Sequence, residues 1–274
     1  MDSGYNRWFD KSLQFIVTSN GQAGMNGEHS MMDGMPTVHL AGLVAGTQYQ
    51  KIQSEQSKMN VDDVNINAGV TDIFEKCHEI LASNTDILTL VQDAKSHFYT
   101  LTNAHALQTK VFHGYGSNYI KSAKFSPDAF VQMAIQLATY RLFKEQAATY
   151  EATQVRVFLH GRTEVTRAVT LESEAFVKAM GPHSHIIASD NQAAETSLKV
   201  DLLRKAATRH VKYIGQASKA MGVDRHLFGL SMCVKEGEPM PDLFNHPLYQ
   251  RSKRWRVSTS HLTHPNFVNW GYVS

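Results

Sequence analysis

The sequence has few cysteines and no long apolar segment, and these two deficits exclude several classes of protein. Its 274 residues include two cysteines, Cys77 and Cys233, which form no CxxC pair. We therefore predict neither a disulfide framework nor a cysteine zinc site. No run of about 18 or more apolar residues occurs, so we predict no transmembrane helix. The polar opening, MDSGYNRWFDKS, is typical of neither a secretory signal nor a transit peptide.

The sequence also lacks an excess of charge of either sign. Lysine and arginine number 27 and aspartate and glutamate 25, a net charge of +2. This balance gives no support to a nucleic-acid-binding or membrane-surface protein. Hydrophobic residues, by contrast, make up 42% of the chain. That content is enough for a substantial core in one large or two modest domains.

Short β-rich segments alternate with helical ones. LQFIV (13–17), followed by Ser19-Asn20-Gly21, predicts a hairpin that returns through residues 22–28. Further strands are predicted at residues 155–159 and 255–258. Helices are predicted over residues 36–57, 71–82, 84–100, 127–149 and 193–221. Ser126 is the expected N-cap of the 127–149 helix, and Gly222 is expected to end the last one. The mixed order predicts an α/β fold with sheets covered by helices.

The stretch GEHSMMDG (27–34) contains the first candidate for chemistry. His29 follows a predicted strand and lies between Glu28 and Asp33. A histidine beside a carboxylate can act as a general base, because the carboxylate fixes the tautomer and stabilises the imidazolium. A histidine satisfied by backbone in an ordinary turn is the structural alternative.

A second candidate is VSTSH (257–261), where Ser258 and Ser260 are two residues apart. On a strand they would lie on one side, where their hydroxyls can donate to a developing oxyanion. A strand that is merely rich in β-formers has the same composition. No GxSxG elbow occurs anywhere in the chain, which argues against a nucleophilic serine.

The remaining candidates are polar segments near predicted strands and helix ends. GYGSNYIKSAKFSPD (114–128) could hold an anion or be a solvated loop. The segments TYE (149–151) and GRTE (161–164) could bring Tyr150 and Thr163 to one polar pocket. Alternatively, Tyr150 lies at the edge of the core and Thr163 lies in a turn. Arg225 in DRH could pair with a carboxylate or lie on the surface. His183 and His185 could be two ligands of a metal ion, but no further histidine lies at the spacing expected of a third ligand. We therefore predict no metal site.

Together, these segments resemble the carnitine/choline acyltransferase family, and most of all its fungal acetyl-transferring members. The resemblance extends over nearly the whole chain in the family's order. It is carried by RWFDKSLQFIV, NGEHSMMDG, KFSPDAFVQMAIQLATYR, TYE, GRTE, LLRKA, DRHLFGL, MPDLF and STS.

The resemblance implies reversible acetyl transfer between CoA and the 3-hydroxyl of L-carnitine, without an acyl-enzyme or a cofactor. His29 would be the base, Ser260 would stabilise the oxyanion with support from Ser258, and Asp33 would orient or pair with Arg225. Tyr150, Thr163 and Arg225 would hold the carnitine carboxylate. The expected CoA contacts are Lys121, Lys124, Ser126 and Asp128.

Departures from the family pattern leave alternatives open. Ser117 replaces a lysine of the CoA site, and His261 replaces a glutamine after STS. These changes keep open an inactive, binding-only protein, and a medium-chain carnitine acyltransferase is a further alternative. The resemblance also implies that the chain lacks most of a first domain and the last strands of a second. Such a chain is expected to be poorly stable and weakly active or inactive.

The expected domain organisation is the end of the first domain at residues 1–65, with His29, and the second domain at residues 66–274. The polar segment 53–67 would be the linker between them, or a long surface loop. The full-length form is expected to be a monomer located in mitochondria or peroxisomes.

Overall fold

The computed structural model describes residues 8–30, 32–46, 79, 83–181, 192–264, 267, 270 and 271. The chain divides into two compact units, one of residues 1–110 and 262–273 and the other of residues 111–261 and 274. The architecture is mixed helix and strand, which confirms the predicted α/β class. Several predictions lie outside the described residues and stay predictions: the 65/66 domain boundary, the 53–67 linker, the 71–82 helix except for residue 79, and the His183/His185 pair.

The first unit begins with the predicted hairpin. Strands β1 (Leu13–Val17) and β2 (Ala23–Gly27) pair antiparallel, with Leu13 opposite Gly27 and Val17 opposite Ala23. The backbone N–H of Thr18 donates to the carbonyl of Gln22, and Gly21 has a φ of 80° inside the turn. Glycine adopts this left-handed conformation without strain, which is why the Ser-Asn-Gly signal identifies the turn correctly.

Two helices complete the described part of the first unit. Helix α1 (Gly34–Gly46) confirms the start of the predicted 36–57 helix, whose later residues are not described. Helix α2 (Thr85–Asn103) confirms the 84–100 prediction, and the Asn84 side chain caps it by accepting from the N–H groups of Asp86 and Ile87. A side chain at Gly34 would place its Cβ 2.8 Å from Leu262 Cδ1, so the small residue lets residue 262 pack against α1.

The second unit contains a three-stranded sheet in the order β4–β3–β5. Strands β3 (Thr149–Gln154) and β4 (Thr163–Arg167) form an antiparallel hairpin. Strand β5 (Val257–Thr259) pairs parallel to β3, with Tyr150 opposite Ser258 and Glu151 opposite Thr259. The sheet therefore joins segments about a hundred residues apart in sequence and fixes which side chains share a face.

Seven helices of the second unit lie among the described residues. They are α3 (Ser117–Ser122), α4 (Pro127–Phe143), α5 (Leu171–Met180), α6 (Gln192–Ala217), α7 (Val223–Met232), α8 (Asp242–Asn245) and α9 (Pro247–Lys253). The apolar core forms between α4, α5 and α6, where Met133, Phe176, Val177 and Ala206 are buried against one another. Ser126 caps α4 as predicted, with Pro127 in the first turn. Within the described chain, no helix is both long and apolar enough to cross a membrane.

Several predicted elements differ from the structure in their bounds or in their type. The 127–149 helix ends at Phe143, because Lys144 takes a left-handed conformation and Thr149 already pairs with Val257 in the sheet. The predicted strand 155–159 is a turn that connects β3 to β4, with Val157 and Leu159 exposed. The last predicted strand, 255–258, is confirmed in place but spans Val257–Thr259.

Gly222 does not end the long helix, as predicted, but precedes the next one. Helix α6 ends at Ala217, and Gly222 is the N-cap of α7 with an ordinary φ of −73°. A Cβ on Gly222 would lie 2.6 Å from Glu164 Cδ, and the Glu164 side chain is buried. Glycine is therefore required here for close packing rather than for backbone freedom.

A polar row on α4 faces the sheet. Asp128, Gln132 and Gln136 follow one another at four-residue spacing, so they share one face of the helix. The side-chain amide of Gln136 donates to Thr149 Oγ1 at 3.1 Å, and that of Gln132 donates to Thr259 Oγ1 at 3.0 Å. These bonds fix α4 over the face of the sheet that carries Glu151, so Asp128 comes to lie near that face.

Candidate active site

His29 lies two residues after the end of β2, in a short loop that leads to α1. Its Nδ1 is 2.9 Å from the backbone carbonyl oxygen of Met32. A carbonyl can only accept, so in the neutral ring Nδ1 carries the proton and Nε2 is the basic nitrogen. The side chain is 50% exposed. The contact with the Met32 carbonyl agrees with the structural alternative, a histidine satisfied by backbone in a turn, and the role of His29 as a general base stays a prediction.

The Asp33 carboxylate lies beside His29. Asp33 Oδ1 is 4.0 Å from His29 Nδ1, a distance at which the carboxylate stabilises a protonated ring. Asp33 is the last residue before α1, and its backbone carbonyl accepts a hydrogen bond from Thr37. Glu28 has a different contact, because its carboxylate accepts from the backbone N–H of Ser30 at 2.8 Å. Asp33 therefore lies beside His29, and its predicted role of orienting or pairing with Arg225 stays a prediction.

In the second unit, the sheet places three predicted residues on one face. Tyr150 is the register partner of Ser258, and Thr163 is the partner of Gln154, four residues along β3 from Tyr150. Residues at even spacing along a strand share a face, so Tyr150, Ser258 and Thr163 lie on the same side of the sheet. Ser260 lies just past the end of β5 and is half-buried. Register thus brings together groups that are distant in sequence.

Arg225 extends this polar face from the first turn of α7. Its Nε donates to the backbone carbonyl of Thr163 at 3.0 Å, and its Nη2 donates to Thr163 Oγ1 at 3.4 Å. The guanidinium remains exposed. Of its five N–H donors, these bonds use two. Enough donors remain for the two parallel hydrogen bonds with which arginine binds a carboxylate.

A second arginine on this face was missed by the sequence analysis. Arg167, the other register partner of Tyr150, donates from Nε to Asp224 Oδ2 at 2.9 Å and from Nη2 to Asp224 Oδ1 at 2.5 Å. Its guanidinium lies 4.9 Å from the ring centroid of Trp255, whose ring also meets that of Tyr150 edge-on. This cluster holds Tyr150 in place. Only the strand pairing could have revealed it, since no local motif contains these residues.

The opposite face of the sheet carries a buried acid–histidine cluster, also missed from sequence. It consists of Asp128, Glu151, His210 and His261, and we call it the Glu151 cluster. His210 Nε2 lies 3.0 Å from Glu151 Oε2 and 3.5 Å from Asp128 Oδ2, while His261 Nδ1 lies 3.3 Å from Asp128 Oδ1. The side chains of Glu151 and His210 are each 1% exposed. The sequence held one sign of this cluster: in TYEATQ, Glu151 lies at one of the alternating positions of the strand that face the interior.

Burial and mutual attraction shift the protonation of this cluster in opposite directions. Burial alone would lower the pKa of His210, but the neighbouring carboxylates of Asp128 and Glu151 raise it to about 9. Burial raises the pKa of Glu151 in spite of His210. The pKa of Asp128 is lowered, because the two histidines outweigh its partial burial. Near neutral pH the cluster therefore contains a protonated His210 between two carboxyl groups.

The predicted CoA residues lie around the start of α4. Lys121 is exposed in the last turn of α3, and Lys124 is exposed with a φ of 60° between the two helices. Ser126 accepts from the backbone N–H of Ala129 at 3.5 Å as the helix cap. Asp128 belongs to the Glu151 cluster. The two lysines are thus exposed, whereas Ser126 and Asp128 already have partners within the protein.

Comparisons with known proteins cover the chain from end to end. A family model described as Choline/Carnitine o-acyltransferase matches residues 1–274. The mitochondrial carnitine O-acetyltransferase of Saccharomyces cerevisiae is 34% identical over 273 residues, covering 98% of this chain and 38% of the yeast protein. Choline O-acetyltransferase of Sus scrofa is 34% identical over 95% of this chain and 38% of its own length.

A third relative is named for the transfer of palmitoyl rather than acetyl groups. The muscle isoform of carnitine O-palmitoyltransferase 1 of Homo sapiens is 34% identical, covering 97% of this chain and 34% of the relative. The chain thus spans little more than a third of the length of these relatives. Their equal identities favour no single acyl group or acceptor.

Proposed function

We propose that this chain, which belongs to the choline/carnitine O-acyltransferase family, supplies the catalytic base and the acceptor-binding side chains for acetyl transfer between CoA and L-carnitine. The observation that carries the proposal is the orientation of His29. Its Nδ1 faces the Met32 carbonyl and the Asp33 carboxylate, so Nε2 is the basic nitrogen.

In the proposed reaction, His29 Nε2 removes the proton of the carnitine 3-hydroxyl as the oxygen attacks the thioester carbonyl of acetyl-CoA. A carbon–oxygen bond forms and the carbonyl becomes a tetrahedral oxyanion. Its collapse breaks the carbon–sulfur bond, and the imidazolium returns the proton to the leaving thiolate. In reverse, the CoA thiol gives up its proton first. Asp33 stabilises the imidazolium electrostatically in both directions.

The oxyanion is assigned to Ser260, with Ser258 in support. A hydroxyl that donates to the developing negative charge lowers the barrier, because the charge exists only in the transition state and the intermediate. The trimethylammonium group of carnitine adds a fixed positive charge close to the reacting oxygen. No acyl-enzyme is required, in keeping with the missing GxSxG elbow.

Through its carboxylate, carnitine is assigned to the face of the sheet that carries Tyr150. Arg225, held by Thr163, offers free N–H donors, and the hydroxyls of Tyr150 and Thr163 complete the set. Lys121 and Lys124 are assigned to the phosphates of CoA, with Ser126 and Asp128 as further contacts. No cofactor is assigned, since CoA is a substrate.

Arg225 supports the proposal of carnitine, rather than choline, as the acceptor. Choline has no carboxylate, so a positively charged group with free donors on the acceptor face favours carnitine. A longer acyl group stays an alternative, because one of the relatives is named for palmitoyl transfer. The inactive, binding-only alternative rests on Ser117 and His261. A monomeric full-length form and a mitochondrial or peroxisomal location stay predictions; the yeast relative's name gives a mitochondrial location.

The test is turnover of acetyl-CoA with L-carnitine, followed as free thiol. We would assay this chain and a form extended to both full domains, with choline and longer acyl-CoA species as competing substrates. Acetyl transfer to carnitine that exceeds transfer to choline supports the proposal. A folded extended form that binds CoA and transfers no acyl group would instead support the binding-only alternative.

A further inference from the structure

Arg167 on β4 is linked through its neighbours to two side chains assigned to the carnitine carboxylate, Tyr150 and Arg225. Its Nε donates to Asp224 Oδ2 at 2.9 Å and its Nη2 donates to Asp224 Oδ1 at 2.5 Å. Its Nη1 donates to the backbone carbonyl of Ser252 at 3.1 Å. All three nitrogens of the guanidinium are therefore bonded within the protein, in contrast to those of Arg225.

The Arg167–Asp224 ion pair fixes the first turn of α7. The two side chains are 25% and 9% exposed, and they meet through two parallel hydrogen bonds, the geometry in which arginine and a carboxylate orient each other most strictly. Asp224 lies in the first turn of α7, directly before Arg225. Successive residues of a helix point about 100° apart, so the direction fixed for Asp224 also fixes the direction in which Arg225 leaves the helix.

A second contact from β4 holds the same turn. The N-cap of α7 is Gly222, which has no side chain to cap the helix. The buried carboxylate of Glu164 instead accepts from the backbone N–H of Arg225 at 3.3 Å. A negative charge at this end of a helix is favourable, because the first N–H groups carry partial positive charge. Together with the Thr163 contacts of Arg225, these bonds seat the start of α7 on β4.

The same guanidinium contacts the residue that packs against Tyr150. The Arg167 guanidinium carbon lies 4.9 Å from the ring centroid of Trp255, and the ring centroids of Trp255 and Tyr150 are 5.7 Å apart with planes at 67°. A cation over an aromatic ring and an edge-to-face ring pair are both attractive arrangements. Arg167 therefore holds Asp224, the neighbour of Arg225, and Trp255, the neighbour of Tyr150, at the same time.

We propose that the Arg167–Asp224 ion pair positions the guanidinium of Arg225 for the carboxylate of the acceptor. The inference rests on the proposed function, because it takes Arg225 as the group that binds this carboxylate. Arg167 and Asp224 are positioning residues and do not bind the acceptor themselves. Without the pair, the first turn of α7 can rotate on β4, and Arg225 no longer presents its free donors in one direction.

The experiment measures the dissociation constants of L-carnitine and of CoA by isothermal titration on the form extended to both full domains. The variants are Arg167→Lys, which keeps the charge but not the planar pair of donors, and Asp224→Asn, which keeps the size of the side chain. Arg251→Lys is the matched control, because Arg251 pairs with Glu145 on the surface of the same unit and is 74% exposed. Thermal unfolding checks that every variant is folded.

We expect both positioning variants to lose carnitine affinity by about 10- to 100-fold, since small displacements of an orienting group have effects of this size. CoA affinity should stay within about twofold of the parent value, and Arg251→Lys should match the parent for both ligands. The double variant Asp224→Asn/Arg225→Gln should bind carnitine about as weakly as Arg225→Gln alone, because Asp224 acts through Arg225.

Four results would overturn the inference. They are unchanged carnitine affinity in Arg167→Lys and Asp224→Asn, an equal loss of CoA affinity, additive losses in the double variant, and a gain of carnitine affinity in Asp224→Asn. The last result would show that Arg167, once released, binds the carboxylate itself. Failure of the proposed function is distinguishable from these results, because the parent protein would then bind no carnitine at all.

Discussion

Replacing Arg225 by glutamine should weaken the use of carnitine far more than the use of choline. Arg225 is exposed and held against Thr163 by two of its five N–H donors. The remaining donors can bind a carboxylate in two parallel hydrogen bonds, which glutamine cannot reproduce. Because the carnitine carboxylate does not react, this contact is the same in the ground state and in the transition state. The loss should therefore appear mainly in KM.

The expected size of the effect follows from the charge on both partners. A hydrogen bond to a charged group contributes about 1.5–3 kcal/mol, so kcat/KM for L-carnitine should fall about 10- to 150-fold. Arg225→Lys keeps the charge but not the planar pair of donors, and it should fall between the parent and the glutamine variant. With choline as acceptor, the two substitutions should change kcat/KM little, since no carboxylate is present.

The assay is steady-state thiol release on the extended form at fixed acetyl-CoA, with each acceptor varied in turn. Thermal unfolding of the variants shows whether loss of the Thr163 contacts has disturbed the fold. An equal loss with carnitine and choline would refute the assignment of Arg225 to the carboxylate. A loss in kcat at unchanged KM would refute the reasoning from uniform binding.

Two further predictions concern stability. The pKa of His210, raised to about 9 from 6.5, means that its protonation stabilises the fold fully below pH 6.5 and that this stabilisation is lost as pH rises through about 9. The free energy of unfolding should therefore fall by about 3 kcal/mol between these limits, and His210→Gln should flatten that slope; an unchanged slope contradicts the prediction. Gly222→Ala should destabilise by about 1–3 kcal/mol in denaturant titrations, because its Cβ would meet Glu164 at 2.6 Å. Gly229→Ala, in a helix with open space around it, should stabilise by about 0.5–1 kcal/mol, and equal effects at both glycines would exclude the steric explanation.

Local signals predicted the elements that depend on local chemistry. The Ser-Asn-Gly turn gave the β1–β2 hairpin, and the Ser-Pro-Asp start gave the beginning of α4, because turn and capping preferences act within a few residues. The end of α4 was not predictable in the same way. The residues after Phe143, KEQAAT, are compatible with a helix, and pairing of Thr149 with distant Val257 is what ends it.

The candidate site likewise has one part that local sequence predicts and another that depends on distant pairing. His29 and Asp33 are neighbours in sequence, so their contact could be expected from spacing alone. The placement of Tyr150 beside Ser258 depends on a parallel pairing that no local pattern encodes. The Glu151 cluster was missed altogether, because its four members become neighbours only when α4 and α6 pack on the buried face of the sheet.

The most direct test of the central claim is the effect of His29→Ala on acetyl transfer in the extended form. His39→Ala is the matched control, since His39 is an exposed histidine on α1 in the same unit. Loss of a general base predicts a fall in kcat of about 100- to 10,000-fold in His29→Ala, with near-parental activity in His39→Ala. Near-parental turnover by a folded His29→Ala protein would contradict the account, because no other group is assigned to take the proton.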